Sequence, residues 1–177
     1  MATTLADIKN LLESLGNRYF ANDTRDMLMM PFRCAGRTIH VILSLQNEGR
    51  FLQLRSTDFN AAKEGASSAA VWQEALALNY HIKIKIGIDP TDGEVVGYSD
   101  LWLEDSEITA CQLDRLLEAF VSGMAEAQER LEVAAATGKS TRDRELDDFF
   151  SSCVADNAEA EPNAANQDLS AKSAESA

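Results

Sequence analysis

The chain has 177 residues, 45% of them hydrophobic, and a formal net charge of −13 at pH 7. That length and apolar content suffice for one domain with a buried core. The charge argues against nucleic acid or an anionic membrane as partner, because a surface that repels phosphates gains nothing from counterion release; basic or apolar proteins suit it better.

The opening stretch "MATTLADIKNLLESLG" has no basic flank leading into an apolar run, so it reads as a first helix and not as a signal peptide. Leu5, Ile8, Leu12, Leu15 and Tyr19 recur at helical spacing, Thr4 sits three before Asp7 as a cap, and Gly16 closes the segment. From Met27 the period becomes two. "DMLMMPF" predicts an edge strand or strand end, since Pro31 has no N–H to donate. In "RTIHVILSLQ", Ile39, Val41, Leu43 and Leu45 share one face, and His40, Ile42 and Ser44 the other. After the turn signal "NEG", "RFLQLRS" resumes the alternation through Leu52 and Leu54.

"SSAAVWQEALALNY" predicts a helix with Trp72, Ala75, Leu76 and Asn79 on one side. "HIKIKIGI" predicts a strand with four isoleucines facing one way and His81, Lys83, Lys85 and Gly87 the other, paired with "EVVGYSDLWLE". Thr109 and Gln112 form a capping box, with Ile108 stapled onto Leu113. An apolar stripe from Leu113 through Leu117, Phe120 and Met124 to Leu131 then runs toward residue 134, and Gly138 stops it. The order α-β-β-β-α-β-β-α predicts an α+β domain over residues 1–138, with three helices on an antiparallel sheet of about five strands.

Residues 139–177 form a separate acidic tail with four basic and nine acidic residues, a net −5, leaving −8 on the body. So polar a segment buries too little apolar area to offset its ordering entropy and is expected to be disordered. One island, "RELDDFF", spaces Leu146, Phe149 and Phe150 as a short helix within 143–150 that could dock in a groove.

Catalytic signals are absent from the sequence. "IDPTDGEVV" gathers Asp89, Asp92 and Glu94, but with Gly93 as the sixth position of a calcium loop, Ile88, Pro90 and Ser99 fall where oxygen ligands belong. Pro and Asp-Gly between two alternating strands are instead what a hairpin connection requires. "GKST" at 138–141 lacks the first glycine of a phosphate loop, its place being held by Val133. His40 and His81 have no second ligand at a recognisable spacing. Cys34, Cys111 and Cys153 are scattered singly, as reduced thiols in a cytoplasmic protein would be. No enzyme, metal or cofactor is expected. The second sheet face is unusual: alternation gives it Ile42, Val96, Tyr98 and Trp102, either a contact patch or a layer beneath a helix.

Residues 3 to about 134 resemble the YbjN-domain family, which has the fold of the class I type III secretion chaperones. The likeness is carried by "ALALNYHIKIKIGIDPTDGEVVGYSDLWLEDSEITACQLDRLLEAF": a helix ending in Leu-Asn, a strand, an acidic Asp-Gly hairpin, an aromatic-containing strand, and a helix entered through Ile108-Thr109. The resemblance implies a small bacterial protein, commonly a homodimer, without enzymatic activity or cofactor, acting as a chaperone or regulator. By analogy with chaperones that hold an extended client segment, Ile42, Val96, Tyr98 and Trp102 become partner-binding candidates, together with Leu146, Phe149 and Phe150 of the tail; the stripe of the last helix is a further candidate. The competing expectation is an acidic calcium- or small-ligand-binding regulator using Asp89, Asp92, Glu104 and Asp105.

Overall fold

The computed structural model describes residues 3–22, 24–56, 69–88, 95–104, 106–148 and 151. Helix α1 (Leu5–Ser14) begins at Thr4, whose hydroxyl accepts the Asp7 N–H while the Asp7 carboxylate accepts the Thr4 N–H at 2.9 Å. The Thr4 hydroxyl, donating to the Asp7 carboxylate at 2.6 Å, and then the Thr4 N–H hold the Asp7 carboxyl below its ordinary range. Strands β1 (Phe20–Asn22), β2 (Met27–Cys34), β3 (Arg37–Gln46) and β4 (Phe51–Ser56) follow, then helix α2 (Ala69–His81), strands β5 (Lys85–Ile88) and β6 (Val95–Trp102), and helix α3 (Ala110–Thr137). A single sheet has the strand order β1-β2-β3-β4-β6-β5, and each pairing is antiparallel.

The architecture is the expected α+β one, with one strand more than the sequence suggested. The additional strand, β1, pairs Phe20 with Met29 and Asn22 with Met27; three residues are too few for a period of two to register. It makes β2 an interior strand. Pro31 is tolerated there because β1 is already finished at Met29.

Two other expectations need correction. The "HIKIKIGI" strand starts at Lys85, because α2 runs through His81 and the Ile82 N–H still bonds to the Leu78 carbonyl at 2.9 Å. His81 therefore ends a helix, and Ile82 and Ile84 reach the core from an irregular link. Nor does α2 bury the whole of the predicted side: Ala75 is buried and Trp72 packs against the core, but Leu76 is not. Its buried residues are Ala70, Val71, Glu74, Ala75 and Leu78, whereas Leu76 is 73% exposed. The reason is Glu74, fully buried and paired to Arg130 of α3 at 2.6 Å. A search for apolar spacing assigns a glutamate to the outside.

Helices α1, α2 and α3 lie on one face of the sheet. Ile8 and Leu12 of α1, Val71 and Leu78 of α2, and Leu113, Leu117, Phe120 and Met124 of α3 form one cluster with Leu28, Met30, Ile39, Val41, Leu43, Leu52 and Leu54. The stripe of the last helix is thus core and not contact surface. Thr109 and Gln112 make the predicted capping box, and Gly138, at φ 67°, provides the left-handed C-cap.

Asn79, near the end of α2, secures the outer edge of β5. Its side-chain oxygen accepts the Ile86 N–H at 2.7 Å, and its amide donates to the Ile86 carbonyl at 3.0 Å, as a neighbouring strand would. A second unit starts at Thr141, with a helix over 141–148. The acidic connection at 89–94 lies outside the described residues; the strands it joins pair antiparallel, Ile88 opposite Val95.

Candidate protein-binding face

Residues directly opposite one another in a sheet share a face, so the register fixes what the side opposite α1, α2 and α3 carries. Phe20, Met29, Ile42, Arg55, Tyr98 and Lys85 form one row across all six strands. A second row, Ser44–Gln53–Asp100, lies beside it, followed by Gln46–Phe51–Trp102. Neither α1, α2 nor α3 covers this side. Phe20 is 67% exposed, Trp102 65%, and Met29 is also exposed. Isolated apolar side chains are ordinary on a surface; a row of them across a sheet is not.

The face is ordered by its own contacts. Phe51 and Trp102 pack with ring centroids 4.8 Å apart and planes tilted by 57°. The Tyr98 ring lies over Gly87, where an added Cβ would come within 3.0 Å of it, and the Lys85 ammonium stands 5.5 Å from the ring centre. Between the two aromatic groups runs a polar chain. Gln46 donates to Ser44 at 3.3 Å and to Gln53 at 3.2 Å, Gln53 donates to Asp100 at 3.1 Å, and Lys85 donates to Asp100 at 2.9 Å. That hydrogen bond to Asp100, and then the carboxylate's charge, raises the Lys85 pKa above its ordinary value.

The four sheet residues singled out from the sequence all lie on this side. Val96 is only 7% exposed and adds little surface, while Ile42 and Tyr98 are half-buried. Leu146 is exposed on the 141–148 helix, and Phe149 and Phe150 lie outside the described residues. The sequence reading missed Phe20, Met29 and Phe51. Met29 and Phe51 were recoverable from the alternation of their strands; Phe20 was not, because β1 is so short.

A cavity of about 490 Å³ adjoins Trp102, lined by Asn47, Glu48, Arg50 and Glu104. Asn47, Glu48 and Glu104 hold φ of 49°, 57° and 51°. Cys34 and His40 project to opposite faces of the sheet, judging by their partners Arg37 and Pro31, so they do not form a catalytic pair. No group of three His, Cys, Asp or Glu among the described residues could hold a metal. Asp89, Asp92 and Asp105 lie outside those residues, and Glu104 is exposed. Among the described residues no helix is long and apolar enough to cross a membrane.

The model of the YbjN family, described as "Putative bacterial sensory transduction regulator", matches residues 4–133. Among solved structures, YbjN from E. coli is 15% identical, over 77% of this chain and 94% of that one, with a TM-score of 0.56. A chain of the HopA1–SchA chaperone–effector complex is 15% identical over 68% of this chain and 88% of that one, at a TM-score of 0.49. A chain of the ExsC–ExsE complex is 16% identical over 80% and 99%, at 0.46. At such identities the likeness is one of fold. No curated protein matches the sequence.

Proposed function

The chain belongs to the YbjN family, and from that premise we propose that it is a non-catalytic, chaperone-like or regulatory protein that binds a partner polypeptide through the face of its sheet opposite α1, α2 and α3. The observation that carries the reading is the transverse row of Phe20, Met29 and Ile42, exposed or half-buried on the side opposite α1, α2 and α3, with Trp102 and Phe51 beyond it. Apolar and aromatic area of this kind, crossed by a polar chain that fixes side-chain positions, is the composition of a protein contact. A homodimer belongs to the reading through the family resemblance, and sedimentation at several concentrations checks it.

The direct test is affinity capture from the native host with the full chain and with the double variant Ile42→Ser, Trp102→Ser. Neither side chain belongs to the core cluster, so the variant is expected to fold with an unchanged circular dichroism spectrum. A specific partner retained by the wild type and lost by the variant is the expected outcome. Equal recovery of every partner by both proteins would contradict the assignment to this face.

A further inference from the structure

The cavity beside Trp102 stands at one end of the sheet, where the turn over Asn47–Gly49 leads into β4 and where β6 finishes. The Arg50 carbonyl accepts the Leu103 N–H at 2.8 Å and the Glu104 N–H at 3.3 Å, which ties the two segments together and brings Glu48 and Glu104 to the same cavity. Its lining is the exposed Trp102 indole, the Asn47 amide, the Arg50 guanidinium and the two glutamate carboxylates. Among the described residues, neither glutamate pairs with Arg50 or with another side chain.

The residue types in these segments are not those the backbone favours. Asn47, Glu48 and Glu104 all hold left-handed φ. Asparagine suits that conformation, whereas glutamate crowds its own backbone there and gains no local hydrogen bond in return. Asparagine at 48 and 104 would serve the fold as well, so holding the backbone does not account for the glutamates. The field around them has their sign with every residue counted. The whole chain carries 29 acidic against 16 basic residues, and the part outside the described residues contributes twelve acidic and two basic side chains, Asp105 directly after Glu104 among them.

We propose that this cavity seats a basic side chain, arginine or lysine, of the partner polypeptide, its cationic head meeting Glu48 and Glu104 and its stem lying against the Trp102 ring. This rests on the proposed function above and adds the residue that anchors the bound segment. Trp102 belongs to both surfaces, since it ends the Gln46–Phe51–Trp102 row of the sheet face. An indole face and carboxylates act together on a cation, the ring through its quadrupole and the carboxylates through charge-assisted hydrogen bonds. Arg50 leaves the cavity one negative charge in excess, and an acidic segment would meet both glutamates.

The test is selection of a displayed library of random 12-residue peptides on the full chain. Enriched peptides are then titrated against Glu48→Asn/Glu104→Asn, against the charge-matched control Glu107→Gln/Glu118→Gln, both exposed positions away from the cavity, and against Met29→Ser/Ile42→Ser on the sheet face. The peptides are expected to share an arginine or lysine beside apolar residues. Their affinity should fall about tenfold or more on Glu48→Asn/Glu104→Asn and change little on the control. Replacing the shared basic residue by citrulline or norleucine should cost as much against the wild type and nothing further against Glu48→Asn/Glu104→Asn. The urea midpoint of that variant should equal or exceed the wild type's; a lower one would assign the glutamates to the fold and overturn the proposal. Equal losses on the two charge variants would show general attraction to an acidic protein and overturn the cavity. Acidic or uncharged peptides lost only on Met29→Ser/Ile42→Ser would overturn the basic anchor and leave the sheet face as the binding surface. No enrichment, or peptides indifferent to every variant, would overturn the sheet face as well.

Discussion

At Ala35 the backbone holds φ 50°, and at Gly36 φ 76°, so the β2–β3 hairpin turns through two left-handed residues between the paired Cys34 and Arg37. Glycine occupies the second position without strain, but an alanine Cβ in the first crowds the following carbonyl. Asparagine tolerates this conformation far better. Ala35→Asn is therefore expected to stabilise the fold by about 1 kcal/mol, read as a higher urea midpoint with an unchanged slope. A lower midpoint would show that the turn is not held this way in solution. Glu74 shows the opposite relation between a residue and its sequence signal. The turn could have been read from the Gly at position 36, but nothing local marks Glu74 as fully buried, because its partner Arg130 lies on another helix. Long-range ion pairs leave no periodic trace.

Among the elements, β5 depends most on a single side chain. As the outermost strand next to β6 it would leave Ile86 with an open N–H and carbonyl, and Asn79 of α2 satisfies both. Asn79→Ala is expected to cost about 1–3 kcal/mol, the range for leaving a buried polar group without its partner. It should also accelerate hydrogen exchange at Ile86 relative to β3. Unchanged exchange at Ile86 would mean that the amide does not serve as an edge partner. This same asparagine is the second residue of the Leu-Asn pair at which the sequence resembles the YbjN family, and the structure supplies a physical reason for an asparagine there. Element order and type were legible because the core strands alternate strictly and α1 and α3 carry capping boxes. What was not legible was β1, too short for a pattern, and the start of β5, where Ile82 and Ile84 bury themselves without a strand. The buried side of α2 was likewise hidden, by Leu76 and Tyr80, two large apolar residues that it turns outward.

On the scale of the body, Met1–Ser140, α1, α2, α3 and the core occupy one side of the sheet, while the described residues on the other side include an apolar and aromatic row. Half of this division could be read from alternation alone, which groups Ile42, Tyr98 and Trp102 once the register of β3, β4 and β6 is known. The other half could not. Whether three helices divide between two faces or share one depends on the lengths and directions of their connections, and hydrophobic spacing does not encode that. Among the described residues of the body, two separate apolar areas reach solvent, the sheet face and the Leu76–Tyr80 side of α2, and the first carries an ordered polar chain. Photocrosslinking in the native host distinguishes them most directly, with a benzophenone amino acid placed at Met29 or Trp102 and, separately, at Leu76 or Tyr80. Adducts to a partner from the sheet positions and none from the helix positions are the predicted result. Adducts from Leu76 or Tyr80 alone would contradict the assignment of partner binding to the sheet.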